Sequence, residues 1–253
     1  MNTAFHIVIP ARYGSSRLPA KPLRDIAGRP MIQWVYQQAC AAGALGVTVA
    51  TDDERIRNVV EGFGGEVVMT SPMHPSGTDR LEEVTRLLEL TDDAIVVNVQ
   101  GDEPLIPPLV IRQVAENLAA SAAAVATLCE PIVKAEDFDN PNIVKVVTDK
   151  DGLALYFSRA PIPWPRDHRL AGSSGLPASP GIYRHLGIYA YRVRELREFV
   201  RWPVAGIEAA ECLEQLRFLW QGRRIHVAEA QAPVPGGVDT EEDLARVVAL
   251  LTR

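Results

Sequence analysis

The first half of the chain repeats one unit, a short apolar run followed by a stretch with helical spacing, and few folds accommodate that pattern. The apolar runs are "FHIVIPA", "GVTVATDD", "GEVVMT", "DAIVVNVQGDEP" and "AAAVATLCEP". Between them lie "PMIQWVYQQACAAG", "ERIRNVVEGFG", "TDRLEEVTRLLEL" and "PPLVIRQVAENLAA"; Leu81, Val84, Leu87 and Leu88 mark one apolar stripe. Short continuous runs bounded by Gly, Pro and Asp read as strands, and the longer periodic stretches as amphipathic helices. Strand–helix alternation requires parallel neighbours joined by right-handed crossovers, with helices on both faces of the sheet. The expected fold class is therefore α/β, a doubly wound, mainly parallel sheet. A chain of 253 residues has room for one such core with an elaboration.

From about Ile132 the rhythm breaks. "IVKVVTDKDGLALYFSRAPIPW" predicts two antiparallel strands across a turn at Asp149-Lys150-Asp151-Gly152. "PRDHRLAGSSGLPASPGIYR", rich in Pro, Gly and Ser, predicts a mobile loop, and "HLGIYAYRV" another strand. Helices return with "VRELREFV" and a longer one over "IEAAECLEQLRFLWQG"; "RIHVAEA" is a strand and "TEEDLARVVALL" a closing helix. The organisation expected is an α/β core of 1–131 and 205–253, interrupted by an antiparallel insertion over 132–204.

Charge and cysteine usage narrow the function classes. The formal net charge of −6 argues against a general nucleic-acid or membrane-surface binder, which needs a positive field. Cys40, Cys129 and Cys212 are far apart with no CxxC spacing, so neither a disulfide framework nor a structural zinc site is expected. No apolar run reaches the roughly 18 residues needed to span a bilayer. A reducing, cytoplasmic setting without membrane insertion is the expectation.

In open parallel sheets, ligands bind beyond the carboxyl ends of the strands. Three strand ends carry more polar chemistry than a turn needs. The first, "IPARYGSSRLPAKPL", brings Arg12, Arg17 and Lys21 around Gly14, Ser15 and Ser16, a set that complements phosphate charge or forms a solvated basic loop. The second, "VVNVQGDEPLI", places Gln100, Gly101, Asp102 and Glu103 directly after an apolar run. A carboxylate there suits Mg²⁺, which takes oxygen ligands and substrate phosphates; the plainer reading is a polar turn. The third, "PGGVDTEEDL", offers Asp239, whose structural role is as N-cap of the closing helix and whose chemical role is to share a divalent ion with Asp102. Asp52 and Asp53 in "VATDDERI" are expected as helix caps. Elsewhere, Ser76, Gly77, Thr78 and Arg80 in "SPMHPSGTDR" either meet a nucleotide base or cap a helix. His185 reads as a hydrogen-bonded structural residue, and Glu208, Glu211 and Gln215 form a polar stripe on an amphipathic helix. No Ser/His/Asp order, HExxH or GxGxxG is present, which sets aside hydrolase, zinc-protease and dinucleotide-oxidoreductase chemistry.

Assembled in order, "IPARYGSSRLPAKPL", "SGTDRL", "NVQGDEPLIP", "NPNIVKVV", "ALYFSRAPIPW", "RHLGIYAYR", "LEQLRFLW" and "GVDTEEDL" closely resemble the 3-deoxy-manno-octulosonate (Kdo) cytidylyltransferases, the CMP-Kdo synthetases, over essentially the whole chain. One departure is Ala20, where the family pattern has Gly; alanine is expected to hold φ below zero there. The segment around 166–180 also matches poorly.

The resemblance implies a Rossmann-like nucleotidyltransferase fold with a dimer-forming antiparallel insertion. It also implies a reaction in which CTP and Kdo give CMP-Kdo and diphosphate for lipopolysaccharide biosynthesis. It makes Arg12, Arg17, Lys21 and Asp102 catalytic, and puts the nucleotide against Pro10, Ala11, Arg12, Lys21, Ser76, Gly77, Thr78, Arg80 and Asp102. Arg17, Gln100, Arg159, His185, Tyr189, Glu211 and Gln215 would meet the sugar, Arg159 as partner of its carboxylate. Asp102 and Asp239 would hold Mg²⁺. The alternatives are a cytidylyltransferase for another acid sugar, 8-amino-Kdo or sialic acid, and a catalytically silent nucleotide-sensing or scaffold protein; retention of Arg12, Arg17, Lys21, Asp102 and Asp239 argues against the latter.

Overall fold

The computed structural model describes residues 3–14, 18–172, 175–176 and 181–252, so Arg17 and part of the expected 166–180 loop lie outside the described residues. Strand β1 (His6–Ala11) is the buried run near the start of the chain. A small hairpin of β2 (Asp25–Ile26) and β3 (Arg29–Pro30) leads into helix α1 (Met31–Ala41). The predicted alternation follows: β4 (Gly46–Thr51), α2 (Glu54–Gly62), β5 (Glu66–Met69), α3 (Gly77–Leu87), β6 (Ile95–Asn98), α4 (Pro108–Ala120) and β7 (Val125–Pro131). The expected cap at Asp53 is present, its carboxylate accepting from the Arg55 N–H at 2.9 Å. Proline at the start of α4 wastes no hydrogen bond, because first-turn N–H groups have no partner inside a helix.

β1 lies in parallel between β4 and β6, with β5 outside β4. Beyond α5 (Ala135–Asp139), the antiparallel pair β8 (Lys145–Thr148) and β9 (Ala154–Ser158) turns at the predicted place, where Asp149 accepts from the Asp151 and Leu153 N–H groups. A short helix α6 (Arg166–Leu170) stands where a mobile loop was expected. The next strand, β10 (Tyr183–Arg192), departs from simple alternation. Its second half runs antiparallel between β6 and β7, placing Ala190 opposite both Val97 and Ala126, while its start also pairs with β8. The antiparallel segment thus shares the central sheet, whose order is β11-β7-β10-β6-β1-β4-β5 once the last strand, β11 (Ile225–Glu229), has paired parallel with β7. Helices α7 (Val193–Phe199), α8 (Gly206–Glu211), α9 (Leu216–Trp220) and α10 (Glu241–Leu251) complete the chain. All core strands except β10 run the same way, so their carboxyl ends open on one edge.

Because side chains alternate along a strand, the two faces of the sheet make two cores. Ile7, Ile9, Val97 and Leu128 pack with Val35 of α1 and Val110 and Val114 of α4. Val8, Val96, Tyr189 and Tyr191 pack on the other face with Leu81 and Val84 of α3, Phe199 of α7 and Phe218 of α9.

Three local expectations are corrected. The single helix over "IEAAECLEQLRFLWQG" is two, because Cys212 adopts left-handed φ 51, ψ 48 and its N–H turns back to the Glu208 carbonyl. Glycine usually marks such a stop, and none is present to signal it. Ala20, expected below zero, has φ 54, ψ 32 at the turn that presents Lys21, its carbonyl accepting from the Leu23 N–H at 2.8 Å. The N-cap of α10 is Thr240 and not Asp239: the Thr240 hydroxyl accepts from the Asp243 N–H, and Asp243 reaches back to the Thr240 N–H. That capping box releases Asp239 from the structural role that its position suggested.

Two of these corrections, at Ala20 and Thr240, are measurable by urea unfolding at neutral pH. Left-handed backbone costs an L-residue about 1–2 kcal/mol, so Ala20→Gly should raise stability by about 1 kcal/mol. Thr240→Ala should lower stability by about 1 kcal/mol and Thr240→Ser should restore most of it. A destabilised Ala20→Gly protein would contradict the turn geometry.

Candidate active site

The site forms where the ends of β1 and β6 and the segment before α10 meet. Their approach leaves no room for a side chain at Gly101 and little at Gly237. A Cβ on Gly101 would lie 2.8 Å from the Pro10 carbonyl oxygen, and one on Gly237 would lie 3.2 Å from the Asp102 carbonyl oxygen. The Val238 N–H donates to that same Asp102 carbonyl at 2.9 Å. Asp102 and Asp239 are thereby brought side by side although far apart in sequence.

Lys21 lies between them. Its Nζ donates to Asp102 Oδ2 at 2.6 Å and to Asp239 Oδ1 at 2.8 Å. Burial works against the Lys21 ammonium, but Asp102 and then Asp239 outweigh it, and the net effect raises its pKa. A raised lysine pKa favours folding at every pH below the ordinary lysine value, and the gain is lost only as pH rises through the folded value. Burial, and then the neighbouring Asp102 charge, push Glu103 up to about 8, so it stays protonated near neutrality. Asp102, Asp239 and the Lys21 ammonium are thus charged groups in direct contact here. Among the described residues no group of three or more His, Cys, Asp or Glu side chains forms a metal centre. Two carboxylates converging on one cation do fit Mg²⁺, which favours oxygen donors and completes its shell with water and substrate phosphate.

Arg12 closes the other side. Its Nη2 donates to the carbonyls of His74 and Ser76 at 3.0 and 3.1 Å, tying the segment after β1 to the start of α3. The segment between β5 and α3 is braced in turn by Glu83, which accepts from the Ser71 N–H at 2.9 Å and pairs with His74 at 2.5 Å. Arg80, expected against the nucleotide, is fully buried and ion-paired with Asp52 at 2.7 Å, with Thr70 as a further partner. It joins the ends of β4 and β5 to α3, and lines neither cavity described next; Asp52 serves Arg80 and is not a helix cap.

Two cavities adjoin. The larger, about 350 Å³, is lined by Pro10, Ala11, Arg12, Lys21, Gly77, Gln100 and Asp102. The smaller, about 190 Å³, is lined by Thr78, Asn98, Tyr189, Tyr191, Glu214 and Gln215, and shares Gly77 and Gln100 with the larger. Of the residues expected on the sugar side, Gln100, Tyr189 and Gln215 line the smaller cavity. His185 stands behind it, its ring 5.3 Å from that of Tyr189 and its Nε2 3.0 Å from the Thr127 hydroxyl. Burial pushes the His185 pKa down to about 3, so the ring stays neutral. Arg159 and Glu211 are elsewhere and bind each other's backbone: the Arg159 N–H donates to Glu211 Oε2 at 2.9 Å, and Arg159 Nε donates to the Glu211 carbonyl at 2.7 Å.

Asn98, Tyr191 and Glu214 were not foreseen. Glu214 is the instructive case. Glu208, Glu211 and Gln215 share a stripe only if the helix is continuous, and the left-handed residue at Cys212 ends that register. After the break Glu214 lines the cavity, with the Ser76 hydroxyl 2.8 Å from its Oε1. Burial raises the Glu214 pKa against the opposing pull of the Ser76 and Thr78 hydroxyls. Asn98 could have been noticed as the polar residue inside an apolar strand; it pairs across the ladder with Tyr189.

Comparison with known proteins agrees with this geometry. The cytidylyltransferase family model matches residues 6–225. The chain is 65% identical over 250 residues to the 3-deoxy-manno-octulosonate cytidylyltransferase of Cellvibrio japonicus, covering 98% of each protein. It is 58% identical to that of Vibrio vulnificus, again covering 98% of each. A CMP:2-keto-3-deoxy-manno-octonic acid synthetase solved in complex with CTP superimposes with a TM-score of 0.89 at 46% identity, over 98% of both chains. A nucleotidyl transferase from Methanothermobacter thermautotroptrophicus, 18% identical with a TM-score of 0.61, shares the fold alone. On these matches the chain belongs to the 3-deoxy-manno-octulosonate cytidylyltransferase family.

Proposed function

We propose that this protein transfers the cytidylyl group of CTP to Kdo, giving CMP-Kdo and diphosphate for lipopolysaccharide synthesis. The observation that carries the reading is the pair of cavities joined at Gly77 and Gln100. One is walled by Arg12, Lys21 and Asp102, a set suited to phosphate with its counter-ion. The other presents hydroxyl, amide and carboxyl groups, a set suited to a polyhydroxy acid.

In this reading the triphosphate lies along Arg12 and Lys21, with Arg17 from the same loop as a third cation. The backbone at Ala11 and Gly77 frames the cytidine. Gln100, on the wall common to both cavities, orients the anomeric hydroxyl of the sugar toward the α-phosphorus. The bond from that oxygen to phosphorus forms as the bond to the β-phosphate oxygen breaks, and diphosphate leaves in line. Such transfers depend mainly on positioning and on offsetting charge in the transition state. Asp102 and Asp239 would hold Mg²⁺, which supplies positive charge to the phosphates when bound. Tyr189, Glu214 and Gln215 hold the sugar, and the neutral His185 fixes the ring of Tyr189 from behind.

A cytoplasmic homodimer completes the proposal. No described helix is long and apolar enough to cross a membrane. Val133, Leu155, Trp164 and Leu170, exposed by 80, 62, 59 and 73%, all belong to the 132–204 segment, which supports dimerisation through it.

Diphosphate release with CTP, Mg²⁺ and a panel of Kdo, 8-amino-Kdo and sialic acid tests the reaction. Kdo should be turned over with the highest kcat/KM; faster turnover of another sugar moves the assignment to it, and no release from any sugar removes the reading. Asp102→Asn should cut kcat about 100-fold or more while circular dichroism stays unchanged. Near-normal turnover of that variant in saturating Mg²⁺ would exclude Asp102 as a metal ligand. Sedimentation should give a dimer that Leu155→Glu weakens; a monomeric wild type would rule the dimer out.

A further inference from the structure

Arg159 was expected as the partner of the sugar carboxylate, yet its guanidinium is committed to the protein backbone. Its Nε donates to the Glu211 carbonyl at 2.7 Å, Nη2 to the Cys212 carbonyl at 3.3 Å and Nη1 to the Pro141 carbonyl at 3.0 Å. Its own N–H meets Glu211 Oε2 at 2.9 Å, while the Ser158 hydroxyl donates to Glu211 Oε1 at 2.6 Å. The Arg159 carbonyl in turn accepts from the buried Lys145 ammonium at 2.7 Å. The end of β9 therefore grips the last residue of α8 by its carbonyl and its carboxylate together.

The gripped residue immediately precedes the left-handed Cys212, whose φ of 51 ends α8. Two residues later come Glu214 and Gln215, both on the wall of the smaller cavity. A continuous helix through 212 would carry these two side chains about a further 100° per residue along a single stripe with Glu211, away from their present positions. We propose that Arg159 and Glu211 are positioning residues: they hold the helix break at Cys212 that delivers Glu214 and Gln215 to the polyhydroxy-acid side of the site. The inference rests on the proposed reaction for its kinetic readout but not for its structural one.

The experiment compares Arg159→Ala, Cys212→Val, Cys212→Gly and the double variant Arg159→Ala/Cys212→Gly. A β-branched residue opposes the left-handed conformation and glycine accepts it freely. Arg159→Ala and Cys212→Val should each raise KM for Kdo on the order of tenfold and leave KM for CTP within about twofold. Although residue 212 lines neither of the two joined cavities, adding Cys212→Gly to Arg159→Ala should return KM for Kdo to within about threefold of wild type. An arginine that bound the sugar carboxylate directly would give no such rescue. Hydrogen exchange of the amides of residues 213–217 should quicken in Arg159→Ala and recover in the double variant. If the double variant keeps a raised KM and fast exchange, the inference is overturned. If wild-type protein fails to turn over Kdo while exchange behaves as described, the proposed reaction is wrong and the positioning role stands.

Discussion

The ammonium of Lys21 between two carboxylates is the contact that the site's architecture depends on. It joins residues separated by 81 and by 218 positions in the chain, and each of the three reaches it through a backbone constraint. Ala20 must be left-handed for Lys21 to turn inward. Gly101 must lack a side chain for the end of β6 to lie on Pro10, and at Gly237 a side chain would crowd the Asp102 carbonyl. Without the ammonium, two like charges would face each other in a partly buried setting, which costs free energy that neither could relieve except by protonation. Folding and charge placement are thus one problem at this edge of the sheet.

The second constraint is the direction of β10. Parallel strands can offer a ligand only their carboxyl ends and the loops that follow, and the larger cavity uses β1 and β6 in that way. A strand entering from the opposite direction can offer side chains from its length. Tyr189 and Tyr191 lie two apart on β10, hence on one face, and their rings stack at 5.7 Å. Asn98 sits directly across the ladder from Tyr189. The smaller cavity is built from this antiparallel junction, and the segment that interrupts the α/β alternation is part of the same sheet.

The alternation of strand and helix, the turn at Asp149, and the polar ends of β1 and β6 were legible because each is a local pattern with a local cause. So was the nearness of Asp102 and Asp239, once strand ends were taken as the place where ligands bind, but the Lys21 ammonium between them was not foreseen. Ala20 and Cys212 were not legible. Both are ordinary residues at positive φ, and propensity predicts the opposite. The missed Glu214 follows from Cys212, since a register is readable only while its helix continues. Arg80 and Arg159 show a related limit. Sequence identifies a guanidinium near a motif but not whether its donors face a ligand or close on Asp52 and on backbone carbonyls. Asp239 shows the converse: Thr240 next to it takes the cap, a choice between adjacent residues that composition does not decide.

Charge balance also sets the order of events at the proposed site. Asp102, Asp239 and Lys21 together carry one net negative charge, and the protonated state favoured for Glu103 adds none. A cluster of that sign repels a bare triphosphate. Arg12 alone among the described lining residues then opposes the repulsion from the larger cavity, with two of its contacts already spent on the His74 and Ser76 carbonyls. A divalent ion reverses the sign of the cluster, so nucleotide and ion are favoured together far more than either alone. Such an ion would share these two carboxylates with Lys21, whose ammonium on a flexible stem would then be available to phosphate. Lysine would suit both states of the proposed site: one mobile charge that balances the acidic pair in this structure and would face phosphate once the pair held an ion.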